Sequence, residues 1–195
     1  MAVKAVFIDK DGTLVENVPY NVDPLKLVFT PHAVEALKLL TAFDYQLVVV
    51  TNQPGVALRY FDQPALDRLH QALRQRLREE GVELAGIYAC PHAPYDGCMC
   101  RKPAPGMLYQ AAQALDIDLT RSWMVGDILD DVEAGRRAGC RAALLDVGSE
   151  TVWRYAALRV PHVRAGNLFD AARRIVEADL AVRPATATAA ATTAA

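Results

Sequence analysis

The chain has 195 residues, a formal net charge of −2 and 52% hydrophobic residues. That length fills one well-buried domain and is short for two, and so weak a net charge gives no reason to expect nucleic acid or a membrane surface as partner. No apolar run reaches bilayer-spanning length, and the brief apolar stretch before Asp9 is too short for a secretion signal, so the expected location is the cytoplasm.

In chain order, a buried-type strand is expected at 5–8, followed by a helix over 31–40 that opens on Pro31 and lines up Val34, Leu37 and Leu40. A second apolar strand follows at 46–50. Residues 64–80 carry the clearest helical stripe, Leu66, Leu69, Leu73 and Leu77, with Gly81 as its stop. Strands at 86–89, 122–125 and 141–145 then alternate with helices at 107–115, 130–138 and 168–180. Strand and helix in alternation imply an α/β fold: a Rossmann-like three-layer α/β/α arrangement around a mostly parallel sheet. One domain over 1–182 is expected. Residues 183–195 are almost wholly Ala and Thr, with little to bury against the entropy of ordering, and read as a disordered tail, an Ala-rich helix being the competing reading.

Open α/β sheets place their chemistry beyond the carboxyl ends of the strands. After the first strand stand Asp9, Lys10 and Asp11; after the second, Thr51 and Asn52; after the third, Cys90 and later Arg101 and Lys102; after the fourth, Asp127. Carboxylates gathered on one rim repel unless a cation lies among them, and hard oxygen donors favour Mg²⁺. Phosphoryl transfer needs such parts: a nucleophile in line, a metal with fixed donors around the phosphoryl oxygens, and an acid for the leaving group. Each piece has a plainer reading when taken alone. Asp11-Gly12 makes an ordinary turn, Thr51-Asn52 a cap, and Asp127, Asp130 and Asp131 an acidic helix start.

Cys90, His92, Cys98 and Cys100 fall within eleven residues. In a reducing compartment that spacing reads as a closed, four-ligand zinc site without direct chemistry, with Asp96-Gly97 turning one ligand pair back on the other. Such a site would pin the loop that delivers Arg101 and Lys102. Cys140 stands apart as a small buried side chain, and His32, His70 and His162 read as surface or packing residues.

The Asp9-Lys-Asp11-Gly-Thr13 run, with Lys102, Asp127 and the zinc-type cluster, resembles the haloacid dehalogenase-like hydrolase superfamily. Within it, the chain is similar to the small branch of heptose-bisphosphate and histidinol-phosphate phosphatases, over roughly residues 3–180. The resemblance implies that Asp9 is a nucleophile forming an aspartyl-phosphate and that Asp11 is the acid and base. It also implies Mg²⁺ on Asp9, Asp127 and the Asp11 carbonyl, with Thr51 and Lys102 gripping the phosphoryl group. Asn17, Tyr20, Thr51, Asn52, Gln53, Arg101 and Lys102 match positions that contact substrate. The substrate implied is a small phosphorylated metabolite, foremost D-glycero-β-D-manno-heptose 1,7-bisphosphate. Histidinol phosphate or another small ester is the alternative, and a non-catalytic module that holds a phosphorylated ligand is the reading from another class.

The chain also departs from that branch. Pro54-Gly-Val-Ala-Leu-Arg59 replaces its usual Ser-Gly-Ile-Ala-Arg-Gly, Ile128 stands where a Lys is common, and the loop between the zinc-type pairs is short. No segment is large enough for a cap domain. The cleft is expected to be bounded by loops at 16–20 and 53–60 and by the zinc loop.

Overall fold

The computed structural model of the protein describes residues 2–182; the tail expected at 183–195 lies outside them. Six parallel strands form one sheet: β1 (Ala5–Ile8), β2 (Gln46–Asn52), β3 (Gly86–Cys90), β4 (Trp123–Gly126), β5 (Arg141–Leu145) and β6 (Val163–Ala165). Their order across the sheet is β3-β2-β1-β4-β5-β6, the doubly wound Rossmann order. The chain winds outward through β2 and β3, then returns to the opposite side of β1 to lay down β4. Strand order therefore reverses between β1 and β4, and a crevice opens beyond their carboxyl ends.

Among the described residues, five α-helices cover the sheet: α1 (Ala33–Ala42), α2 (Gln63–Glu79), α3 (Gly106–Leu115), α4 (Leu129–Ala138) and α5 (Leu168–Val182). β1 shows why its sequence is apolar throughout. Ala5 and Phe7 join the core under α3 and α4, with Met107, Leu108 and Ala134. Val6 and Ile8 join the opposite core, with Leu37 of α1, Leu69 and Leu73 of α2 and Ile175 of α5. Successive strand residues face opposite sides, so a strand between two helical layers has no polar position to offer until it ends. Its first polar residue is Asp9.

Several boundaries differ from expectation for local reasons. α1 begins at Ala33 because His32 takes a left-handed conformation (φ 61°) that closes the turn before it. β2 runs on to Asn52, since Thr51 and Asn52 pair with Ala89 and Cys90. β6 carries no apolar-run signal in the sequence, because it has three residues, one of them Arg164, and pairs only with β5 at the sheet edge. α2 starts and ends one residue earlier than expected, because Asp62 caps it, its Oδ1 accepting from the Ala65 amide at 2.9 Å. No described helix is long and apolar enough to cross a membrane.

Candidate active site

Asp9 follows β1 directly, and its amide donates to the Val125 carbonyl of β4 at 2.9 Å, so the switch point itself positions the residue. Two glycines make room around it. A Cβ on Gly12, at φ +83°, would lie 2.2 Å from Asp127 Oδ2, and one on Gly126 would lie 2.2 Å from the Asp131 carboxylate. Asp127 is further held by the Thr13 hydroxyl, which donates to its Oδ1 at 3.2 Å. Carboxylate oxygens of Asp9, Asp127 and Asp131 all lie within 4.8 Å of one another, and all three residues are buried.

Lys102 is buried among them. Its ammonium contacts Asp9 Oδ1, donates to the Val50 carbonyl at 3.0 Å and lies 2.6 Å from Asp131 Oδ1. Burial pushes the Lys102 ammonium toward neutrality, but Asp131 and Asp9 together outweigh it and hold the group above its usual range. Burial raises Asp131 to about 7 against the pull of Lys102, and raises Asp127 with help from Asp9. Three carboxylates face one ammonium here, which leaves two negative charges if all are ionised. The site therefore fits a divalent cation held by hard oxygen donors.

Asp11 projects to the other side of Asp9. Lys10 Nζ lies 3.0 Å from its Oδ1, and Gln53 Nε2 donates to its Oδ2 at 2.9 Å. Burial raises the Asp11 carboxyl, Lys10 lowers it and Asp9 raises it again, for a net upward shift. Asn52 also lines the cleft, and its amide bridges the Lys102 backbone, accepting from the Lys102 N–H at 3.0 Å and donating to the Lys102 carbonyl at 3.2 Å. Asn52 and Gln53, which the resemblance groups with substrate contacts, are thus engaged with the machinery.

The four zinc-type residues also converge. Cys100 Sγ lies 3.1 Å from Cys90 Sγ, 3.5 Å from Cys98 Sγ and 3.2 Å from His92 Nδ1, and Cys90 Sγ lies 3.6 Å from Cys98 Sγ. Donors bound tetrahedrally at about 2.0–2.3 Å stand about 3.3–3.8 Å apart, so the cluster has close to the size of a closed zinc shell. Gly97 turns the loop at φ +65°, and the Ala93 amide donates to Asp96 Oδ2 at 2.8 Å.

A family model described as HAD-hydrolase-like matches residues 99–170. The chain is 36% identical over 149 residues to a D-glycero-β-D-manno-heptose-1,7-bisphosphate 7-phosphatase of Pseudomonas aeruginosa, covering 76% of this chain and 84% of that one. It is 43% identical to an enzyme of the same name from Haemophilus influenzae, covering 68% and 75%. The crystal structure of a D,D-heptose 1,7-bisphosphate phosphatase from B. bronchiseptica, complexed with magnesium and phosphate, superposes with a TM-score of 0.76 at 30% identity, covering 90% of this chain and 99% of that one. This chain belongs to the HAD-like phosphatases.

In this HAD-like phosphatase the cleft has a volume of about 450 Å³. Asp9, Asp11, Thr51 and Lys102 line its floor, and Asn17, Tyr20 and Arg101 its mouth. Arg101 Nη1 is buried with no hydrogen-bond partner. Tyr20 meets Tyr60 edge to face, ring centroids 4.6 Å apart, so the loops on the two sides of the mouth touch. Asp130 turns away and pairs with Arg159, leaving Asp131 to face Lys102. Ser149, which lines the cleft with Asp127, gave no signal in the sequence; extending the strand-end rule to β5 reaches it.

Proposed function

We propose that the protein is a Mg²⁺-dependent phosphomonoesterase that works through an aspartyl-phosphate on Asp9. The observation that carries this reading is the buried Asp9–Lys102–Asp131 contact beside Asp127 at the β1/β4 switch point. Asp9 attacks the phosphorus as the bond to the leaving oxygen breaks, and that oxygen takes the proton of Asp11. Asp11 then removes a proton from water as the water attacks the phosphoaspartate, which frees phosphate and restores Asp9. Lys102 and the Thr51 hydroxyl hold the transferring oxygens. Asp9, Asp127 and the Asp11 carbonyl would hold Mg²⁺, with Asp131 alongside, and the ion would supply charge neutralisation for the phosphoryl group.

For the substrate we favour a phosphorylated sugar bearing a second phosphate, D-glycero-β-D-manno-heptose 1,7-bisphosphate in the first instance. Arg101 supports this choice, because a buried guanidinium nitrogen without a partner at the mouth calls for an anionic group. Histidinol phosphate presents an amine that can be protonated, which suits that nitrogen poorly. The zinc-type cluster is read as a structural Zn²⁺ site in the same terms. Its thiols are free of disulfides, as in a reducing cytoplasm.

Phosphate release across a panel that includes both candidates and p-nitrophenyl phosphate tests the reading, with metal analysis of the same sample. Expected are Mg²⁺-dependent turnover, preference for the bisphosphate, and about one zinc per chain. A folded, metal-replete protein that binds the esters without hydrolysing them would instead be a phospholigand-binding module.

A further inference from the structure

Gln53 is 5% exposed, and its backbone amide donates to the carbonyl of Cys90 at 2.7 Å, so its side chain leaves a fixed point at the end of β2. From there Nε2 makes two hydrogen bonds of 2.9 Å, one to Asp11 Oδ2 and one to Thr51 Oγ1. An amide nitrogen has two hydrogens, and both are used. The orientation is enforced, since the reversed amide would set Oε1 against the Asp11 carboxylate.

Two consequences follow from the direction of these bonds. Thr51 is 1% exposed, and its oxygen accepts from Gln53, so its own proton is free to point at a phosphoryl oxygen. Asp11 has Lys10 on one oxygen and Gln53 on the other, which fixes the carboxyl plane. A carboxyl group has about four acceptor positions, so a proton for the leaving oxygen still has a place beside these two donors.

We propose that Gln53 is a positioning residue that locks the leaving-group acid Asp11 and the phosphoryl-gripping Thr51 into one unit, with Lys10 bracing the far side of Asp11. The inference rests on the phosphatase reading above. Gln53 then sets the angle at which Asp11 meets the leaving oxygen and does not itself contact the reacting atoms.

The test uses two esters of similar shape and different leaving-group basicity, phenyl phosphate and p-nitrophenyl phosphate. Losing the alignment of a catalytic group costs up to about 10²-fold. Gln53→Met should therefore slow phenyl phosphate by about that factor and p-nitrophenyl phosphate by about tenfold or less. In an Asp11→Asn background the same change should cost phenyl phosphate hydrolysis about tenfold or less, because only the Thr51 contact is then left to lose and residues acting as one unit are not additive. Should Gln53→Met melt early, Gln53→Asn, which keeps the amide and withdraws it by one methylene, carries the same expected bias. Equal losses on both esters, or full additivity with Asp11→Asn, would overturn the positioning role. A parent protein inactive on both esters would instead remove the phosphatase reading itself.

Discussion

The floor and the mouth of the cleft are built on opposite plans. On the floor, Asp9, Thr51, Lys102, Asp127 and Asp131 are at most 8% exposed, and each charged group meets a partner delivered by a different strand end or helix start. At the mouth, Tyr20 and Tyr60 are 50% and 63% exposed, Asn17 is exposed, and Arg101 has a nitrogen without a partner. The floor is pre-organised around charge that every phosphate monoester brings, which is where electrostatic catalysis is most effective. The mouth is left for whatever hangs from the phosphate. One scaffold can then keep its chemistry while its loops change substrate.

Substitutions on the two sides should separate cleanly. Asp9→Asn should reduce turnover to background on every ester while the protein keeps its melting temperature within a few degrees; substantial turnover by the folded variant would break the contrast at once. Asp11→Asn should come next, losing about 10²–10⁴-fold, as removal of a general acid or base does. That loss should be larger for phenyl than for p-nitrophenyl phosphate, and equal losses would take the leaving-group role from Asp11.

Arg101→Ala belongs to the mouth and should behave differently. A hydrogen bond to a charged group is worth about 1.5–3 kcal/mol, so KM for a bisphosphate should rise by about ten- to a hundredfold. Steady-state rates with p-nitrophenyl phosphate should hardly move. Equal damage to both substrates would place Arg101 in the chemistry and blur the division.

The smallest effect lies behind the floor. His70 is half-buried on α2, with its Nε2 atom enclosed and unpartnered, and this burial, reinforced by the Lys10 charge, lowers it to about 4 from its ordinary 6.5. The unfolded chain therefore takes up a proton at higher pH than the folded one. Stability conferred by a neutral His70 is full above about 6.5 and falls as pH drops toward about 4, by at most about 3 kcal/mol at 1.36 kcal/mol per unit. Urea melts between pH 7 and 4 should show a shallower decline for His70→Gln than for the parent. Parallel declines would mean that no buried, charge-facing histidine sits there.

How much of this was legible in the sequence follows the same division. The βαβα order and the rim of Asp9, Thr51, Lys102 and Asp127 could be read because a buried strand admits no polar residue before its end, so the first one marks the site. The cysteine–histidine cluster could be read because its ligands are close in sequence. The two jobs of Asn52 and Gln53 could not. An amide serves substrate and neighbouring backbone equally well, and only the extension of β2 by pairing with β3 aims these two inward. Lys10 gave no signal either, since a lysine between two aspartates reads as solvated until the loop folds over it. Asp131 was separable from Asp130 only once α4 had set their faces, one toward Lys102 and the other toward Arg159.

The central claim is a phosphoryl group carried on Asp9. Acid quenching of the Mg²⁺-loaded protein during turnover of a labelled phosphate ester, followed by peptide mapping, tests it most directly. Phosphate should be found on the peptide that contains Asp9, at a level that falls as substrate is exhausted, and should be missing from Asp9→Asn. Rapid turnover with no label on the protein at any quench time, or label on another residue that persists in Asp9→Asn, would contradict it.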